Sequence, residues 1–162
     1  MEILNILMEK YRELYSNAKK EIEVTHHLLF VTFPLLKETK FLTAITNHII
    51  KASKLALESL LEYKKHYKEI EPYPDNFAAQ IDIYRTKLEK DLGLDLTYAR
   101  LLTQLLEINK LDKETKVKFK RKQAYILTRE DFSVITLDHD KVKRYANVSK
   151  RFIEDVGKII EK

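Results

Sequence analysis

Cysteine is absent from this chain, which excludes disulfides, thiolate metal sites and a thiol nucleophile. Any metal would have to rest on histidines and carboxylates. Glycine occurs twice and proline three times in 162 residues, so the chain has few places to turn sharply. A sequence so poor in turn residues and so rich in Leu, Ile, Glu and Lys is expected to be mostly long helix. The longest apolar run, Leu28 to Leu36, falls well short of the roughly 20 residues that a membrane-spanning helix needs. Glu2 and Glu9 stand where a signal peptide carries positive charge. The expectation is a cytoplasmic protein with no membrane partner. No Gly-rich phosphate loop, nucleophile elbow, paired metal motif or binuclear carboxylate pattern appears, which argues against the commoner enzyme classes.

What is present describes one folded domain over residues 1–162. Hydrophobic residues make up 44% and charged residues 34%, enough to bury a core under a heavily charged surface. No repeat, low-complexity segment or dividing linker interrupts it. The Lys and Glu bias without cysteine resembles heat-adapted compositions, so a thermophilic source is expected. Thirty bases against 25 acids give a net charge of +5, which permits an anionic partner without requiring one.

Periodicity predicts a bundle of about five helices built on a long antiparallel helical hairpin. From Ile3 to about Val31, the positions Ile3, Leu7, Leu14, Ala18, Ile22 and Leu29 form one stripe, with Ile6, Tyr11 and Val24 beside it. Lys10, Arg12, Lys19, Lys20, Glu21 and Glu23 fall off it as a solvated face. Pro34 disfavours helical geometry at Phe33 and is expected to end the helix there or nearby, in a turn spanning Thr32 to Glu38. A second helix should run from Glu38 or Thr39 to about Tyr67, and its small residues Ala44, Ala52, Ser53, Ala56 and Ser59 invite close approach by neighbours. Asp75 or Asn76 should cap a third helix that Gly93 ends in a left-handed conformation. Asp95 should cap a fourth, and Asp138 or Asp140 a last one whose stripe includes Val142, Tyr145 and Phe152. Between the last two, Ala124–Thr128 and Phe132–Leu137 are rich in β-branched and aromatic residues, which reads as a small β-hairpin near 123–137 lying against the helices.

Three features could carry chemistry. The hairpin turn would bring His26 or His27 level with His48, a pair that with a third ligand could hold a divalent metal. Adjacent histidines on a helix point about 100° apart, so only one could face His48. No carboxylate falls at that level on an inward position. A polar cluster tied by Thr25, Thr46 and Asn47 is therefore the favoured reading, and no cofactor is expected. The second feature is the basic run Lys113, Lys116, Lys118, Phe119, Lys120, Arg121 and Lys122. Clustered cations with aromatic neighbours can track phosphates in a single strand, whereas lysines on an edge strand can equally serve to discourage unwanted pairing. The third is the supply of tyrosines and acids around Tyr63, Tyr67, Tyr73 and Tyr84, with Asp82 and Glu89, which reads as packing at a wet rim.

The segment His27-Leu28-Leu29-Phe30-Val31-Thr32-Phe33-Pro34-Leu35-Leu36-Lys37, with Pro72-Tyr73-Pro74 and Phe119-Lys120-Arg121-Lys122, resembles a family of uncharacterised archaeal helical proteins across most of the chain. More distantly, a bundle built on two long antiparallel helices resembles the HEPN superfamily, many of whose members cut RNA or pair with nucleotidyltransferases. That resemblance implies an Arg followed four to six residues later by His in the ribonucleases. Arg12, Arg85, Arg100, Arg121, Arg129, Arg144 and Arg151 all lack such a partner, so the likeness does not carry the chemistry over. The sequence reading is a non-catalytic binding protein that contacts RNA or protein through the basic stretch. The alternatives are a HEPN-like or metal-dependent nuclease with an unusual site, and a homodimeric or partner-binding scaffold.

Overall fold

Five helical rods and a small antiparallel sheet make up the computed structural model, which describes residues 2–114, 118–121, 124–129 and 131–161. The first rod comprises α1 (Glu2–His27), a π-helical segment (Leu28–Thr32) and α2 (Phe33–Leu36), which run on as one helix. It ends at Leu36, three residues beyond Phe33 and close to the expected stop. Proline lacks an N–H and its ring crowds the carbonyl four residues back. The wide turn just before Pro34 relieves that conflict, with the Phe33 N–H bonded to the Leu28 carbonyl five residues earlier. Pro34 then sits in the first turn of α2, where its missing donor costs little. The reversal falls at Lys37, inside the expected turn, where a left-handed φ of 51° closes the helix.

Returning antiparallel, α3 (Lys40–His66) is the central helix. Ala52, Ser53, Ala56 and Ser59 are fully buried on it, as the small-residue pattern predicts, while Ala44 faces solvent. Small side chains bring the backbones close enough for Ser59 Oγ to donate to the Tyr11 carbonyl at 2.6 Å. Ser53 and Ser149 share a hydroxyl hydrogen bond of 2.8 Å on another side of α3. On the first rod the buried positions Tyr11, Ala18, Ile22, Thr25 and Leu29 step by three, four and seven, one stripe against α3. Val24 lies outside that stripe and is 43% exposed.

The remaining helices follow their end signals. Asn76 accepts the Ala79 N–H at 3.0 Å and starts α4 (Phe77–Ile83), which runs on through a second π-helical segment, Tyr84–Leu88. Gly93, at φ 63°, closes that rod. Asp95 receives the Thr97 N–H ahead of α5 (Leu96–Glu114), and Asp138 receives the Lys141 N–H at the start of α6 (His139–Ile160). Gly157, a weak helix former near the end of α6, has a packing reason: a Cβ built there would overlap the Tyr15 ring of α1.

The predicted hairpin is present as β2 (Ala124–Thr128) and β3 (Val134–Leu137), and the basic stretch adds a third strand, β1 (Lys118–Arg121), in the order β1-β2-β3. The last strand begins at Val134 rather than Phe132. Asp131 accepts both the N–H and the hydroxyl of Ser133, which folds the loop and leaves Phe132 left-handed and 88% exposed. Leu127, Ile135 and Leu137 join Leu42, Ile45, Leu105 and Val142 in one apolar cluster, while Leu57, Leu60, Leu102 and Phe152 centre the other.

Candidate nucleic-acid interface

The expected histidine contact does not form. The two long helices meet in a register other than the expected one, and His48 Nδ1 lies 2.8 Å from Glu21 Oε2. Lys51 meets the other oxygen of Glu21 at 3.0 Å. Burial alone would raise the Glu21 carboxyl, but the hydrogen bonds from His48 and Lys51 outweigh it and hold the group below the ordinary glutamate range. His26 instead stacks on Phe30 at 5.2 Å, and burial with nearby Lys150 pushes its imidazole down. His27 is exposed. Thr25 and Thr46 donate back to the carbonyls of Glu21 and Leu42 on their own helices, and Asn47 is exposed, so the polar cluster dissolves into local bonds. Among the described residues, no group of three His, Asp or Glu side chains is placed to hold a metal ion.

The basic stretch begins at Lys113, in the last turn of α5, and supplies the strand β1. Lys116 and Lys122 lie outside the described residues. Backbone pairing sets Lys118 opposite Leu127, Phe119 opposite Ile126, Lys120 opposite Tyr125 and Arg121 opposite Ala124. Both Ile126 and Leu127 are buried, so β2 is covered on each side. Among the described residues, β1 is the outer strand, with its far edge unpaired. Arg129 ties the sheet to α5 by donating to Glu107 Oε1 from Nε at 2.6 Å and from Nη2 at 2.5 Å.

A second basic feature has no counterpart in any sequence motif. Between α5 and α6 lies a groove of about 300 Å³ lined by Thr97, Arg100, Gln104, Lys141, Arg144 and Tyr145 over Leu101 and Val148. An adjoining groove of about 390 Å³ shares Arg100 and Gln104 and adds Arg85 and the acid Glu89. These cations come from helices about 40 positions apart, and no local pattern joins them.

The tyrosine supply resolves into two specific contacts. Tyr73, in the Pro-rich linker, donates to the buried Glu62, whose Oε1 also meets Lys65 at 3.1 Å and Lys10 at 3.7 Å. Glu58, half-buried beside it, is raised by burial. Tyr98 donates to Asp155 at 2.5 Å and fastens α5 to α6. Burial and the facing carboxylate push its phenol upward. Glu62 looks like any surface acid in the run Leu60-Leu61-Glu62-Tyr63-Lys64, and only the fold shows it inside. A scan against protein-family models finds no match for this chain, and a search of curated proteins finds none either.

Proposed function

We propose that this protein is a non-catalytic helical-bundle module that binds single-stranded RNA along the open edge of β1. The observation that carries the reading is the density of charge in the sequence around an outer strand. Between Lys113 and Lys122 six bases stand against the single acid Glu114, and three of them, Lys118, Lys120 and Arg121, belong to β1, whose far edge is unpaired among the described residues. Lysine and arginine at such density attract a phosphate backbone by releasing condensed counterions, and an unpaired strand edge leaves backbone donors free for a ligand. The Arg129–Glu107 bond supports the reading by holding the sheet firmly on α5, so that the edge is presented from a rigid base.

Fluorescence anisotropy with a labelled oligoribonucleotide at low and moderate salt tests it. Binding at low salt that weakens on changing Lys118, Lys120 and Arg121 to alanine is the expected result, and absence of binding at low salt sinks the reading. A second reading, self-association, is favoured by one observation: Val31, Leu35 and Leu36 leave an apolar surface at the end of the first rod, Leu35 being 79% exposed. Sedimentation reports that directly, since a monomer at high concentration removes it.

A further inference from the structure

We propose that the groove between α5 and α6 is a binding site for a phosphate group, gripped by Arg100, Lys141 and Arg144. Two helices bring these three cations to the walls of one concavity, and no carboxylate lines it. Among the described residues none of the three makes an ion pair, although acids elsewhere are engaged: Glu21 by His48 and Lys51, Glu62 by Lys10 and Lys65, Glu107 by Arg129, and Asp155 by Lys158. Glu107, one turn further along α5, is thus occupied by the sheet. Gathering like charges without a counter-ion is unfavourable. An anion bound between them removes that cost.

The donor set indicates which anion. Arginine presents a planar fork of N–H groups that matches two oxygens of a phosphate, and two arginines with a lysine can meet a tetrahedral group from several sides. Gln104 adds a neutral donor at the rim, whereas the Thr97 hydroxyl is already donated to Asp95. Tyr145, 7% exposed, forms the floor with Leu101 and Val148, and this apolar base strengthens the electrostatic grip above it. The volume of about 300 Å³ exceeds what a bare phosphate fills and leaves room for an attached sugar. Across the ridge of Arg100 and Gln104, the adjoining groove sets Glu89 beside Arg85, so the phosphate is assigned to the acid-free groove alone.

The phosphate can belong to a free nucleotide or to an RNA strand, and calorimetric titration separates the two. The probes are inorganic phosphate, AMP and a short oligoribonucleotide, each added to the wild-type chain, to Arg100→Gln/Arg144→Gln, and to Lys118→Ala/Lys120→Ala/Arg121→Ala. The expected result is that at least one probe binds the wild type and binds tenfold or more weakly to the double arginine variant. Arg144→Lys, which keeps the charge and loses the fork, should fall between. Phosphate or AMP binding that survives in the strand variant identifies a free nucleotide as the source. Oligomer binding alone, lost in the arginine variant, identifies the strand. All three arginine-site side chains are at the surface or half-buried, so folding is checked by circular dichroism on the same samples. No binding of any probe, or equal binding by wild type and a folded arginine variant, overturns the proposal. For phosphate and AMP, neither outcome depends on whether the β1 edge binds RNA, and for the oligomer the strand variant removes that contribution.

Discussion

Tyr73 donates its phenolic hydrogen to Glu62 Oε1 over 2.5 Å, which fastens the Pro-rich segment between α3 and α4 onto the central helix. Glu62 is 4% exposed, and the bond satisfies a carboxylate that would otherwise be underpaired inside the fold. Tyr73→Phe is expected to cost about 1–3 kcal/mol, the usual penalty for stranding one partner of a buried hydrogen bond. Urea denaturation measures it. An unchanged midpoint would mean that Lys10 and Lys65 suffice for Glu62.

The same contacts set the response to pH. Burial would raise Glu62, but the hydrogen bonds from Tyr73 and Lys65 outweigh it, and the folded carboxyl sits below its ordinary value, as Glu21 does. Such groups stabilise the fold above the ordinary glutamate pKa, and that contribution is lost as pH falls through the lower folded value. Glu58 acts in the opposite sense because burial raises it, so it offsets part of the acid loss. On the alkaline side, Tyr73, Tyr84 and Tyr98 are all raised, chiefly by burial, from the ordinary value of 10.0. Their contribution is complete below pH about 10 and declines as the unfolded tyrosines ionise above it. Melting temperature should therefore fall on both limbs. Tyr73→Phe should flatten the alkaline one, and an identical alkaline slope would refute the assignment.

Gly157 opposes its own helix propensity for the sake of α1. Alanine there would gain about 1 kcal/mol as a helix former, yet its Cβ would overlap the Tyr15 ring. Displacing a partly buried ring from a packed contact costs about 1–3 kcal/mol, so Gly157→Ala is expected to lower stability on balance. The companion change Tyr15→Ala removes the obstacle. In the double variant, Gly157→Ala should become stabilising, and additive single effects in a double-mutant cycle would show that the two residues do not meet.

Much of this architecture is written locally. Asn76, Asp138 and Gly93 announce their helix ends because capping and left-handed closure depend on the residue itself. Ala52, Ser53, Ala56 and Ser59 mark α3 as central because small side chains permit close approach. Pro34 marks the end of the first rod only approximately, since a single wide turn carries the helix on to Leu36. The pairing of the long helices is set by how they pack, and it gives His48 the partner Glu21, a residue the pattern assigns to solvent, in place of His26 or His27. The Arg100, Lys141 and Arg144 groove is illegible for another reason: it depends on how α5 and α6 cross, which the fold decides and neither helix encodes alone.

Salt dependence decides whether the groove and the strand edge serve one ligand. Each phosphate contact to a single strand steepens the fall of log K with log salt by about 0.7. Replacing Lys118, Lys120 and Arg121 with alanine should therefore reduce the slope for RNA by about 2, three contacts at that increment. From Gln104 to Glu114, α5 covers about 15 Å at ~1.5 Å per residue, a span that a short single strand can bridge. If one strand spans both features, Arg100→Gln/Arg144→Gln should reduce the RNA slope by a further amount of about 1.4, and the two reductions should add in the combined variant. Anisotropy titrations at four or more salt concentrations supply the slopes. An RNA slope untouched by the arginine changes, alongside lost AMP binding, would assign the groove to a small nucleotide and the β1 edge to the polymer.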